Sequence, residues 1–253
     1  MTAKVAMITG AASGIGRAGC LLFAERGIAV VAVDVDERGL SQTVEQVRAQ
    51  GGAAHELAAD LSDMNAVAAM VDKAAALSGG LDMLWNNAGI NGPQGVDNIA
   101  LDAYEQTLRI NLTSGVLASS AALPHLRKRG GGSILFTSSI SGLVGSARYA
   151  VYALTKFGMI GMAKSMAVQL AGEGIRVNVI CPGAVDTPMA DRLAAATRPL
   201  DGKDYRQAAL DVVPMRRSAH PREIAEAAYW LCSDDASYVT GIALPVDGGY
   251  TCR

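Results

Sequence analysis

Lys4-Val5-Ala6-Met7-Ile8-Thr9-Gly10-Ala11-Ala12-Ser13-Gly14-Ile15-Gly16 is a short apolar run that passes at once into a turn with three glycines. Lys4–Thr9 reads as a buried strand, and the stretch from about Ile15 to Arg26 reads as a helix. Glycines at such a junction permit a tight turn and a close backbone approach to a bound group. The helix start adds free N–H groups and the positive end of a dipole, which favour a pyrophosphate. The spacing is G-x3-G-x-G, not the commoner G-x-G-x-x-G. Gly10, Ser13, Gly14, Ile15 and Gly16 are the first candidates for a dinucleotide site.

Working outward, Ile28–Val33 is a second apolar strand that ends at Asp34. An acid about 20 residues after the glycines suits ribose hydroxyls. Asp36 is the better cap for the next helix, which leaves Asp34 for the ribose. Further strands follow at about His55–Ala59, Leu81–Trp85, Ser133–Thr137, Ile175–Ile180 and Ile242–Val246. Helical stretches separate them, among them a long one over about Leu101–Arg129 with Asn111 at its middle. This alternation predicts an α/β fold, a doubly wound, Rossmann-type parallel sheet of about seven strands covered by helices on both faces. No repeat or linker divides residues 1–253, so a single domain is expected. Residues 188–213 have scattered charge and weak periodicity and read as a mobile substrate lid.

Ligands of such sheets bind at the carboxyl ends of the strands. There the sequence places the Gly-rich turn, Asp34, Asp60, Asn87, Ser139 and Pro182-Gly183. Tyr152 and Lys156 are four residues apart on a predicted helix over about Ala150–Ala171, and so share one face. A phenol has an ordinary pKa near 10, and a neighbouring ammonium lowers it. The pair suits acid/base work on an alcohol or carbonyl, with the Ser139 hydroxyl on the same oxygen. Tyr149 lacks such a partner, because Ala153 stands four residues on. A dinucleotide site beside an acid/base pair points to hydride transfer at a carbon bearing oxygen.

The composition narrows the alternatives. With 22 basic and 24 acidic residues the net charge is −2, which gives no electrostatic case for nucleic acid or an anionic membrane. Half of the residues are hydrophobic, enough for a large core, yet no apolar run is long enough to span a bilayer. Cys20, Cys181, Cys232 and Cys252 have no metal-type spacing, so no metal site is expected. They read as thiols of a reducing compartment. With no signal peptide at the N-terminus, a cytoplasmic location is expected.

These pieces together resemble the short-chain dehydrogenase/reductase family over nearly the whole chain. The matching residues are Thr9-Gly10-x3-Gly14-Ile15-Gly16, Asp60, Asn86-Asn87-Ala88-Gly89, Asn111, Ser139, Tyr152-x3-Lys156 and Pro182-Gly183-x3-Thr187. The resemblance implies that Tyr152 exchanges the proton, Lys156 lowers its pKa and binds ribose, and Ser139 orients the substrate. It implies that Asn111 holds a water linked to Lys156. It further implies that Asp60 and Leu61 meet adenine, Asn87 to Gly89 the ribose side, and Val185 and Thr187 the carboxamide.

The leading expectation is an oxidoreductase that moves a hydride between NAD(H) and a small or cyclic secondary alcohol or ketone. A 3-oxoacyl-[acyl-carrier-protein] reductase and a catalytically silent NAD(H)-sensing protein are the alternatives. Asp34 favours NAD(H) over NADP(H), since a 2′-phosphate would set a second anion against it. Asn91, Gln94, Ser141, Leu143, Arg148, Tyr149 and the lid from Met189 onward are the candidate substrate contacts. The helix at Ala150–Ala171 is apolar around nearly its whole circumference, which predicts a homo-oligomer. The resemblance suggests a tetramer.

Overall fold

The computed structural model describes residues 3–196 and 205–252. Seven strands form one sheet: β1 Val5–Thr9, β2 Ala29–Asp34, β3 Ala54–Ala58, β4 Met83–Asn86, β5 Gly132–Thr137, β6 Ile175–Pro182 and β7 Ala243–Val246. Their order is β3-β2-β1-β4-β5-β6-β7, with every neighbouring pair parallel. The chain winds outward from β1 to β3, then crosses back to β4 and winds the other way. The order therefore reverses between β1 and β4, and a crevice opens at the carboxyl ends of that pair.

Helices cover both faces: α1 Gly14–Glu25, α2 Glu37–Ala49, α3 Met64–Ser78, α4 Leu101–Leu108, α5 Ser114–Lys128, α6 Ala150–Leu170, α7 Pro188–Ala196, α8 Tyr205–Asp211 and α9 Pro221–Cys232. The two-residue period of a strand sorts the core. Val5, Met7, Val31, Leu84, Ile134 and Val177 face α3, α5 and α6. Ala6, Ile8, Val30, Trp85, Leu135 and Ile180 face the layer of α1, α2 and α9. Both faces are dry, which is why the strands read as unbroken apolar runs.

Two local features position the site. A Cβ on Gly19 would lie 2.3 Å from the Trp85 ring, so glycine is what lets α1 settle on β4. The long helix expected over Leu101–Arg129 is interrupted: a π-helical turn, Arg109–Thr113, joins α4 to α5 and carries Asn111. Such turns mark functional sites often. The extra residue in the turn points Asn111 inward, where it is 2 % exposed.

The expected lid has helices α7 and α8 in its described parts, while residues 197–204 lie outside the described residues. Helix α6 is two-sided. Met159, Ala163, Met166 and Leu170 are buried, whereas Leu154, Phe157 and Val168 remain 51 %, 46 % and 86 % exposed. Among the described residues no helix is long and apolar enough to cross a membrane. Cys20, Cys181 and Cys232 are buried free thiols, and Cys252 is an exposed one.

Candidate active site

A cavity of about 900 Å³ runs across the carboxyl ends of the strands. Gly10, Ser13, Gly14, Ile15, Asp34, Asp60, Leu61, Asn87, Ala88 and Gly89 line one half. Ser139, Tyr152, Lys156, Pro182, Gly183, Val185 and Thr187 line its middle. Asn91, Ser141, Arg148, Tyr149 and Met189 reach the other half. Four expected residues stand behind the wall: Gly16, Asn111, Gln94 and Leu143. Each acts through a neighbour or through the core.

The glycines are where backbone crowding demands them. Gly10 and Gly14 have φ of +69° and +53°, and a Cβ on Gly16 would lie 2.1 Å from the Gly10 carbonyl oxygen. Gly16 thus lets α1 close on the turn. Ser13 precedes α1 with no side-chain capping bond, so the first N–H groups of the helix face the cavity edge without a built-in acceptor.

Asp34 is held in place from both sides. Ala12 N–H donates to its Oδ2 at 2.9 Å and Asp36 N–H to its Oδ1 at 3.0 Å. Asp36 caps α2 through Gly39 N–H at 3.1 Å, as expected of the better cap. Asp60 accepts Ser62 N–H at 2.8 Å, and that bond holds its carboxyl below the usual range.

The two asparagines at the end of β4 both fix the loop that follows. Asn86 anchors to Ser119 Oγ at 3.1 Å. Asn87 is the stronger clasp, donating to the Thr9 carbonyl at 3.1 Å and accepting from the Thr137 hydroxyl at 3.0 Å. The same Thr137 hydroxyl accepts from the Trp85 indole at 2.8 Å. Thr9 Oγ1 accepts both Asn87 N–H and Ala88 N–H, at 3.0 and 3.1 Å. Thr9 stood in the sequence motif without a role, and Thr137 was not singled out. A hydroxyl at a strand end was the only signal available.

In the middle, Lys156 is 3 % exposed and donates to the Thr137 carbonyl at 2.8 Å. Its Nζ lies 5.2 Å from the centre of the Tyr152 ring. Burial pushes the Lys156 amine down to about 7. Burial also pushes the Tyr152 phenol up to about 12, opposed by a hydrogen bond from Ser139. Lys156 is not among the groups that shift Tyr152, so the expected lowering is not seen. An amine that sheds its own proton near neutrality supplies little charge, and desolvation of the phenol prevails. The Cys181 thiol beneath them is pushed up to about 11 by burial and stays neutral.

Asn111 is a core clasp. Its Oδ1 accepts Ile90 N–H at 2.7 Å, and its Nδ2 donates to the Ile90 carbonyl at 2.8 Å and to Thr155 Oγ1 at 3.2 Å. A Cβ on Gly89 would meet Asn111 Oδ1 at 3.3 Å and Lys156 Nζ at 3.5 Å, so both converge on one spot. Its side-chain polar atoms are already taken by Ile90 and Thr155. Gln94 Nε2 donates to Tyr149 Oη at 2.9 Å, and Gly95 N–H to the Arg148 carbonyl at 2.7 Å. These bonds tie the loop after β4 to the entry of α6, and Gln94 supports Tyr149 from outside the cavity. Leu143 packs on the core.

A dinucleotide-sized crevice with a half-buried Tyr152 and a buried Lys156 at its centre defines an oxidoreductase that works with a nicotinamide cofactor. The comparisons with known proteins agree. A family model described as enoyl-(acyl carrier protein) reductase matches residues 10–251. Cis-4-hydroxycyclohexanecarboxylate dehydrogenase of Sinomonas cyclohexanicum is 42 % identical over 249 residues, 98 % of this chain and 96 % of that protein. The crystal structure of levodione reductase superposes with a TM-score of 0.92 at 34 % identity, covering 99 % of this chain and 98 % of that one. The 3-ketoacyl-(acyl-carrier-protein) reductase of Brucella melitensis, complexed with NADH, gives 0.88 at 34 % identity and 98 % coverage of both chains. The chain belongs to the short-chain dehydrogenase/reductase family.

Proposed function

We propose that the protein is an NAD(H)-dependent dehydrogenase of small alicyclic secondary alcohols, run in reverse as a ketone reductase. The observation that carries this reading is the Tyr152–Ser139 pair, set mid-cavity between the Asp34 end and an apolar end. The residues present fit the cofactor: crowded glycines leave a cradle that a Cβ would fill, and Asp34 stands fixed where a ribose would lie. NAD(H) supplies the hydride acceptor or donor and, when oxidised, a positive charge.

The chain's own residues do the rest. Tyr152, neutral with its pKa near 12, is a proton donor ready for a carbonyl oxygen. Ser139 holds its hydroxyl on the same spot, positioned by Ser141 N–H, which donates to Ser139 Oγ at 3.1 Å. Lys156 supplies a nearby amine whose charge strengthens as a negative or acceptor-rich ligand gathers around it. In the oxidation direction Tyr152 takes the alcohol proton, which requires its pKa to fall from about 12 toward neutrality. Moving it by about 5 units takes roughly 7 kcal/mol of differential stabilisation.

The substrate half is lined by Tyr149, Met189, Leu193, Leu210 and Val213, a mostly apolar wall suited to a carbon ring. Arg148 and Arg192 line it too, whereas Asp34, Asp36 and Asp60 lie at the other end. This separation favours ring alcohols that carry a carboxylate, in keeping with the relative from Sinomonas cyclohexanicum. Helices α7 and α8 act as the lid over this half. The exposed Leu154, Phe157 and Val168 of α6 form the contact of a homotetramer, the assembly by which that apolar strip leaves water.

Steady-state assays of cyclohexanols, their carboxylates and the matching ketones with NAD(H) test the reading. Turnover of at least one ring alcohol is expected. NADH binding with no turnover of any secondary alcohol or ketone would make the protein a silent binder. Preferred reduction of a 3-oxoacyl thioester would replace the alcohol reading with the acyl-chain one.

A further inference from the structure

Beneath the Gly-rich turn lies a polar cluster whose two side chains, Arg17 and Thr43, do not line the cavity. Thr43, on α2, is fully buried. Its hydroxyl hydrogen is shared between the carbonyls of Ala11, at 2.9 Å, and Gly39, at 3.0 Å. The same oxygen accepts from Arg17 Nε at 3.0 Å. Arg17, on α1, also donates through Nη2 to the Ala12 carbonyl, in a short bond, and to the Gly39 carbonyl at 3.3 Å. Ala11 N–H donates to the Val33 carbonyl at 3.1 Å, and Ala12 N–H to Asp34 Oδ2 at 2.9 Å. All four backbone groups of Ala11 and Ala12 are thus assigned. Both carbonyls point down to Thr43 and Arg17, and the second N–H points at Asp34. Only glycine fits at position 39, where a Cβ would lie 2.9 Å from the Ala12 methyl and 3.0 Å from its oxygen.

We infer that Arg17 and Thr43 are positioning residues that set cofactor choice from below the turn. Two carbonyls turned inward leave the cavity face of the turn to N–H groups, which suits a pyrophosphate. The Ala11–Ala12 peptide, held by Thr43 on the Ala11 oxygen, aims its N–H at Asp34 and fixes the carboxylate that faces the ribose, while Arg17 holds the next peptide by the Ala12 oxygen and braces the Thr43 hydroxyl. Those three acceptors also keep the Arg17 guanidinium turned away from the place of a 2′-phosphate. Loss of the clamp frees the Asp34 carboxylate to swing, so NADH loses its partner while NADPH loses one repulsion.

The inference rests on the NAD(H) reading, and equilibrium binding separates the two. Fluorescence titration of the full-length protein with NADH and with NADPH gives a dissociation constant for each. Thr43→Val keeps the shape and removes the hydroxyl. It should weaken NADH about tenfold with NADPH nearly unchanged, so the preference falls about tenfold. Thr43→Ser should restore it. Arg17→Lys, which keeps the charge but loses the planar fork, should lower the preference by a few-fold and serves if Thr43→Val does not fold. On an Asp34→Ala background Thr43→Val should leave the remaining preference unchanged, because the two act through one carboxylate.

A lowered melting temperature in Thr43→Val and Arg17→Lys with the preference intact would overturn the inference and leave the NAD(H) reading standing. An unchanged preference in Asp34→Ala alone would overturn both.

Discussion

The Gly-rich end of the cavity and its centre are built on opposite principles. At the Gly-rich turn nearly every polar group has a partner within the chain: Ala11, Ala12, Asp34, Thr43 and Arg17 form one closed set of bonds. At the centre Lys156 has a single strong acceptor, and Tyr152 has Ser139, with both groups driven from their ordinary pKa values by burial. Saturation gives geometry and discrimination. Desolvation gives reactivity, because a poorly solvated acid or base has the most to gain when a ligand supplies the missing interaction. Substitutions in the two regions should therefore fail differently: the first in which cofactor binds, the second in how fast the proton moves and how stability responds to pH.

The largest effect belongs to the centre. Tyr152→Phe removes the phenolic proton and little else, so turnover should fall at least 100-fold, within the usual 10²–10⁴ worth of a placed acid/base group. NADH should bind as before by fluorescence titration. Near-normal turnover in that variant would end the proton-transfer role.

Next comes the turn. Two unit charges 4 Å apart at an effective dielectric near 20 repel by about 4 kcal/mol. Screening and side-chain movement reduce this to an expected preference for NAD(H) of about 10²-fold in kcat/KM. Asp34→Ala should remove most of it. Equal use of both cofactors by the wild type would show that Asp34 does not select.

The third effect is thermodynamic. Lys156 titrates near 7 when folded, against an ordinary value of 10.5. Between those values the unfolded chain binds a proton that the folded one has released, so folding stability rises with pH across that window. Lys156→Met has no such group. The stability of the wild type relative to this variant, from urea unfolding, should rise by about 2 kcal/mol between pH 7 and pH 9 and stay flat below pH 6. A difference independent of pH would mean that the amine keeps its proton when buried.

Much of this contrast was legible before the fold was known. Strand ends, the glycines, Asp34 and the Tyr152–Lys156 spacing are local patterns, and the parallel topology followed from apolar runs alternating with helices. The π turn at Arg109–Thr113 left one trace, Asn111 in the middle of a helix where asparagine is disfavoured, which marks either a distortion or a core hydrogen-bonder and gives no turn type. The clasp on Asn87 was not legible, since its partner Thr137 is 50 residues away. The Thr43–Arg17 bond joins residues 26 apart on two helices, each of which alone reads as an ordinary polar position. The direction of the Tyr152 shift escaped for a different reason. Spacing reveals a neighbouring cation, but only packing reveals that the cation is itself desolvated.

The smallest expected effect tests the apolar end, which belongs to neither principle. Arg192 sits on α7, exposed at the cavity rim, with a guanidinium that a ring carboxylate can reach only through partly solvated space. An exposed ion pair is worth about 0–1 kcal/mol. Arg192→Gln should therefore raise KM for a carboxylate-bearing ring alcohol by no more than about fivefold and leave kcat alone, as expected when uniform binding alone is lost. The effect should shrink in high salt, where the Debye length falls to about 3 Å at 1 M. It should vanish for the neutral carboxamide, which has the same ring and no charge. Equal losses on acid and amide would assign Arg192 to packing of the lid. No loss on either would leave anion recognition to Arg148, whose backbone the Gly95 bond already fixes beside α6.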